Sequence, residues 1–146
     1  MNKKVKNAQP VTEEATNFRS KLELMHYKLL KEAGLNPIYE SYTASLFEKF
    51  RLKNTLFYAP IKKEFKAYTR VIMGITYTPD FFIKYKDYNI FIDSKGQPND
   101  VYPLKKKMFL WHLEQLSEIT GEKYIFFEPH NRKQIIDTIE IIKNLT

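Results

Sequence analysis

The chain has 146 residues, 43% of them apolar, with a net charge of +7 and a pI near 9.4. That length suits one domain, and the absence of cysteine removes disulfides and Cys-based zinc sites and fits a reducing cytoplasm. No apolar run approaches the roughly 20 residues of a membrane span. The basic start MNKKVKNAQP has no apolar stretch, so no secretory leader is expected. The basic balance points to an anionic partner, and without a long basic amphipathic helix nucleic acid is favoured over a membrane surface.

In chain order, residues 1–11 read as a disordered basic arm with Lys3, Lys4 and Lys6, and residues 12–146 as a single domain. Thr12 is the expected cap of a first helix, with Glu13 and Glu14 in its first turn and Gly34 as its stop. Ala15, Phe18, Leu22, Met25, Leu29 and Ala33 form its apolar stripe. Glu23 falls on the rim of that stripe beside Arg19 and His26, either solvated or facing a cleft.

From residue 37 to 76 the pattern weakens. Leu46–Phe50 and Thr55–Ala59 read as strand or short helix, and Phe65–Ile75 as one strand leading toward Tyr77. Residues 48–70 carry Lys49, Arg51, Lys53, Lys62, Lys63, Lys66 and Arg70 against Glu48 and Glu64. Such a run is either a charged strand edge that discourages aggregation or a phosphate-contacting surface.

The stretch YTPDFFIKYKDYNIFIDSKG, residues 77–96, alternates with period two on both sides of Lys86-Asp87 and predicts a hairpin. A two-residue loop puts Asp80 opposite Asp93, with Cβ atoms roughly 5 Å apart and Lys95 on the same face. A four-residue loop puts Asp80 opposite Lys95 instead. A slip of one residue scatters the three groups. Two adjacent carboxylates repel unless something neutralises them, and a divalent cation does so. Two acids and an amine are the minimal equipment for metal-assisted phosphodiester hydrolysis.

After the turn-rich GQPNDVYP, Pro103 opens a helix to about Thr120, with Leu104, Met108, Trp111 and Leu116 on one face. Phe109, Leu110, Leu113 and Ile119 widen its apolar surface, so it is expected to be deeply buried or shared with a second subunit. Lys105, Lys106 and Lys107 sit in its first turn, the unfavourable end for cations, either solvated or anchoring a DNA backbone. Lys123–Glu128 reads as a buried strand, and Ile135, Ile136, Ile139 and Ile142 mark a last helix. The expected fold is α/β, more closely an α+β mixed sheet flanked by helices. No glycine-rich phosphate loop is present, and His26, His112 and His130 are too scattered for a zinc site.

Pro79-Asp80, followed by Asp93-Ser94-Lys95, resembles the PD-(D/E)xK nuclease signature. The resemblance implies a restriction-endonuclease-like core in which Asp80, Asp93 and the Ser94 carbonyl hold Mg²⁺ (or Mn²⁺), with Lys95 managing the attacking water. The further acid that such enzymes take from an upstream helix falls on Glu23. More narrowly, YTPDF, IDSKG and the lysine-rich helix are similar to phage-encoded endonuclease I enzymes, which resolve branched DNA as intertwined dimers. The implied protein is a homodimeric endonuclease of the host cytoplasm. Arg19, Lys62, Lys63, Lys105, Lys106 and Lys107 are its expected nucleic-acid contacts. Asp93 departs from the commoner Glu by one methylene. The alternative is a DNA-binding or assembly protein that keeps the fold without the chemistry.

Overall fold

A computed structural model describes residues 11–13 and 16–146. Residues 1–10, where most of the expected basic arm falls, lie outside the described residues. Val11 already belongs to a strand: β1 (Val11–Glu13) pairs antiparallel with β2 (Thr16–Phe18).

The first helix therefore does not start at Thr12, whose hydroxyl instead donates to Asn17 Oδ1 at 2.7 Å. β-branched Val11, Thr12 and Thr16 favour extended backbone. Helix α1 spans Lys21–Glu32, and its cap is Ser20, whose Oγ accepts from the Glu23 amide at 3.2 Å. The signal is the Ser-x-x-Glu of Ser20 and Glu23, a capping-box spacing. Gly34 ends the helix as expected, at φ +77°, where an L side chain is strained. The inward stripe is Glu23, His26 and Leu30, rotated from the expected one; Leu22, Met25 and Leu29 are only partly buried. Inside, Glu23 accepts from the Tyr39 hydroxyl and the Arg19 amide, and His26 bonds Ser94 Oγ through Nδ1 while its Nε2 has no hydrogen-bond partner.

A short β3 (Ile38–Tyr39) follows, then β4 (Ala44–Phe47), β5 (Tyr58–Ile61), β6 (Glu64–Ala67) and β7 (Ile75–Tyr77). The expected strand Phe65–Ile75 is thus two strands separated by an irregular stretch. β5 and β6 form a hairpin of their own. Its two-residue loop, Lys62-Lys63, has φ of +51° and +69°. Asn-Gly usually fills such a turn, and two lysines hid it. β4 pairs with β7 through a bulge between Ser45 and Phe47, and Phe50 bridges Ile72 further out. Gly74 makes this approach possible: a Cβ there would lie 2.3 Å from the Phe47 carbonyl oxygen.

β8 (Phe81–Tyr85) and β9 (Tyr88–Ile92) form the central hairpin, with Phe81 opposite Ile92 and Tyr85 opposite Tyr88. This is the two-residue-loop register. Helix α2 (Tyr102–Thr120) then leads to β10 (Lys123–Phe127), which lies parallel to β9, and α3 (Arg132–Lys143) closes the chain, capped by Asn131. The main sheet runs β10-β9-β8-β3, parallel at the first pair and antiparallel at the others. The fold is mixed α and β, with three helices among the described residues.

Alternation along the hairpin sends side chains into two cores. Phe81, Ile83, Ile90 and Ile92 meet Phe18 and Leu30 near α1, and Ile135 and Ile142 of α3. Phe91, on the other face, meets Ala44, Tyr77, Tyr102, Phe109 and Leu113. Helix α2 buries only Tyr102, Phe109 and Leu113; Leu104 and Trp111, expected inside, are solvent-facing at 57% and 67% exposure. Phe109 takes the inner position because Tyr77, Phe91 and Phe126 surround it at ring distances of 4.8–5.5 Å. No helix among the described residues is long and apolar enough to cross a membrane.

Candidate metal and phosphate site

One step beyond the paired residues Phe81 and Ile92 lie Asp80 and Asp93. The two residues lock together. The Asp80 amide donates to Asp93 Oδ1 at 3.2 Å, and the Ser94 amide donates to Asp80 Oδ2 at 2.7 Å. Neighbouring strands fix the backbone around them. The Asp93 and Lys95 amides donate to the carbonyls of Phe127 and Pro129, and the Asp80 carbonyl accepts from the Glu40 amide. The position of both carboxylates is therefore set by sheet geometry rather than by a loop.

Lys95 shares their face, as period two requires. Its Nζ is 3.1 Å from Asp93 Oδ2 and 4.5 Å above the centre of the Tyr102 ring. The Tyr102 hydroxyl donates to Glu128 Oε1 at 2.7 Å, and Glu128 also takes Lys106 and His130, each at 2.9 Å. Ser94 turns the other way, its Oγ 2.6 Å from Nδ1 of fully buried His26.

Burial pushes the Asp80 carboxyl well above its ordinary value, and the charges of Asp93 and then Glu23 push it further; Lys95 opposes them. The Glu23 carboxyl is also raised, chiefly by burial, against the hydrogen bond from Tyr39. Glu128 behaves oppositely. Burial alone would raise it, but the hydrogen bonds from Lys106, Tyr102 and His130 outweigh that and hold it down at about 2. Asp93 Oδ2 is buried and, apart from the Lys95 ammonium at 3.1 Å, has no hydrogen-bond partner; the buried Tyr77 hydroxyl and His26 Nε2 have none. Asp93 and Tyr77 also interact electrostatically. Unsatisfied buried oxygens are uncommon and call for a ligand, an ion or water.

Of the acids singled out in the sequence, Asp80 and Asp93 come together with Lys95. Glu23 is buried, at 5% exposure, and close enough to act electrostatically on Asp80. Its Oε2 is engaged by the Tyr39 hydroxyl at 2.6 Å and the Arg19 amide at 3.0 Å. Among the described residues no three His, Asp or Glu side chains form a ready-made metal cage. Arg19 pairs with Glu40, and Lys106 with Glu128. Lys62, Lys63 and Lys107 are exposed, and Lys105 is half-buried.

Tyr39, Tyr77, Tyr102 and Glu128 also belong to the site; Tyr77 stands in the quoted YTPDF but was given no role, and no motif singled out the other three. Glu128 carried a usable signal. A strand, a helix and a further strand imply a parallel pair, and Asp93 and Glu128 end adjacent parallel strands, where functional residues gather in α/β sheets. The tyrosines carried none beyond their position in aromatic segments.

No curated protein and no solved structure gives a significant match to the chain. Residues 3–125, most of the chain, match the family described as protein of unknown function (DUF1064), and the chain belongs to that family.

Proposed function

We propose that the protein is a metal-dependent endodeoxyribonuclease that cleaves DNA by phosphodiester hydrolysis, selective for DNA structure rather than sequence. The observation that carries this reading is the latched, buried pair Asp80 and Asp93 with Lys95 beside it. Burying two adjacent carboxylates against one ammonium is unfavourable without a further positive charge. The donor set fits Mg²⁺. It consists of hard oxygens, one of them Asp93 Oδ2, which has no hydrogen-bond partner besides the Lys95 ammonium, and Mg²⁺ needs only one or two carboxylates because it keeps waters and takes substrate phosphate oxygens. Asp80 and Asp93 would hold the ion, with the Ser94 carbonyl; Glu23 adds negative charge nearby. Bound there, Mg²⁺ supplies Lewis acidity to a phosphoryl oxygen and acidifies a water.

The remaining work falls to the chain itself. Lys95 presents its ammonium to the attacking water and to the charge that builds on the phosphate. The Tyr102 ring beneath it restricts where that ammonium sits. Tyr102 is in turn held by Glu128, and Glu128 by Lys106. Lys62, Lys63, Lys105 and Lys107, with Arg19 and Lys106 where their ion pairs yield, would grip the DNA backbone. Such contacts give affinity and register without reading bases. The restriction-endonuclease-like core and a homodimer belong to the same proposal.

The test is purified protein with Mg²⁺ or with a chelator, on linear and four-way-branched DNA. The proposal expects Mg²⁺-dependent cleavage, faster on the branched substrate; undiminished cleavage by Asp93→Ala and Lys95→Ala variants would falsify the site. A second reading, a non-catalytic assembly protein, is favoured by the exposed Leu104, Trp111 and Ile119 of α2. It expects oligomers without DNA affinity.

A further inference from the structure

The hairpin of β5 and β6 packs substantially against no other named element among the described residues. It is a free-standing ribbon. Past the Phe50–Ile72 bridge it joins the β4–β7 ladder, whose opposite end, where the Thr43 and Thr78 hydroxyls bond at 2.7 Å, leads to Asp80. Its outer part, extended by the bond from the Tyr68 amide to the Phe57 carbonyl, spans roughly 15 Å.

The ribbon has two chemical features that the fold uses little, an exposed aromatic pair and an excess of cations, of which Lys66 pairs with Glu64 at 3.7 Å and Arg51 donates to the Thr69 carbonyl at 3.2 Å. Register places Tyr58, Pro60, Phe65 and Ala67 on one face. Tyr58 and Phe65 stack at 6.2 Å and an angle of 28°, yet are 52% and 73% exposed. They form an aromatic platform that covers nothing. Residues 51–70 carry six basic side chains and one acidic one. Lys62 and Lys63 occupy the tip, in the left-handed conformation where Asn-Gly would be less strained. A second copy docked on this platform would bring two strongly basic arms together, so charge complementarity favours a polyanion.

We propose that this ribbon is a DNA-gripping arm. Lys62 and Lys63 hold phosphates at its tip, and Tyr58 and Phe65 stack on an unpaired base, which biases the protein toward splayed or branched DNA. The proposal rests on the DNA-acting reading of the acidic pair and deepens it. Aromatic side chains accept any base by its π-face, so the arm would sense pairing state and not sequence. It connects through the β4–β7 ladder to the strand that leads to Asp80, so DNA held by the arm would be tethered to the body that carries the acidic pair.

The test is fluorescence anisotropy with the full chain in chelator, comparing a short duplex with the same duplex carrying a forked, unpaired end. The double variant Lys62→Glu/Lys63→Glu should weaken both complexes and lower the salt slope by about two. Phe65→Ala should reduce the forked-to-duplex affinity ratio roughly tenfold, and Phe65→Trp should keep it. An unchanged ratio in Phe65→Ala overturns the proposal. So does a loss confined to self-association in sedimentation, which would assign the platform to a second copy. Wild-type protein that binds neither DNA sinks the DNA-acting reading itself, whereas normal binding that is indifferent to the arm sinks only this inference.

Discussion

The two hairpins of this chain are built alike and placed oppositely. β8–β9 and β5–β6 are both antiparallel, both turn through two residues, and both carry lysine at positive φ in the turn. The side chains of the first alternate into two cores, and its end is tied to β10 and β3. The side chains of the second meet mainly each other. Burial lets the first hold two carboxylates and an ammonium in a fixed arrangement, at an electrostatic cost. Exposure lets the second carry many cations and bare aromatics at little cost in stability.

The sharpest way to break this contrast is to exchange the expected effects. Asp93→Ala should lower Mg²⁺-dependent cleavage by at least about a thousand-fold, on the order of 4 kcal/mol in the barrier, with DNA affinity retained. Lys62→Ala/Lys63→Ala should instead lose affinity and recover its cleavage rate at saturating protein. Single-turnover kinetics separates the two; cleavage by Asp93→Ala at the wild-type rate would refute the division of labour.

Stability should divide the same way. Phe109→Ala, which empties the centre of the second core, should cost about 3–5 kcal/mol in urea unfolding. Phe65→Ala on the ribbon should stay within about 0.5 kcal/mol. A large loss from Phe65→Ala would mean the ribbon is part of the folded body.

The cost of the buried acids is measurable as well. A saturating divalent cation, at a hundredfold over its Kd, should stabilise the wild type by about 2.7 kcal/mol. Asp80→Asn keeps an acceptor for the Ser94 amide while removing the charge. It should raise stability without metal at neutral pH and abolish most of the metal-induced gain. The pH dependence has a definite sign. Because the folded pKa of Asp80 is raised, its contribution is full below the ordinary value of 3.8 and is lost as pH climbs through the higher folded value. Asp80→Asn should flatten that alkaline decline. Glu128, held at about 2, contributes the opposite trend: its stabilisation is present above 4.5 and fades as pH falls toward 2. Glu128→Gln should flatten the acid limb by a smaller amount, since that carboxylate is partly solvated. Thermal melts from pH 3 to 9 check both limbs; parallel curves for wild type and variants would contradict the assignment.

What could be read from the sequence divides along the same line. The central hairpin was legible because strict alternation flanks Lys86-Asp87, but its register was not, since a turn without Asn-Gly or Asp-Gly left two- and four-residue loops both open until the structure showed the former. Helix α2 was legible at Pro103, and β10 and α3 from their apolar runs. The start of α1 was misread because Glu13 and Glu14 imitate a first turn, while the Ser20 and Glu23 pair that caps the helix sits inside the periodic stripe. That pair also placed Glu23 and His26 inside, which no hydrophobic pattern predicts. The ribbon escaped notice because its turn lacks glycine and its residues have no core to alternate against. Glu128 went unassigned although the strand–helix–strand order pointed to the parallel pair that sets it beside Asp93.

The most direct test of the acidic pair is an anomalous difference map from crystals of the protein soaked in Mn²⁺. The account predicts a peak bonded to the Asp80 and Asp93 carboxylates that vanishes in Asp80→Asn crystals. A map with no peak there, or with Mn²⁺ held only at Glu128, would contradict it.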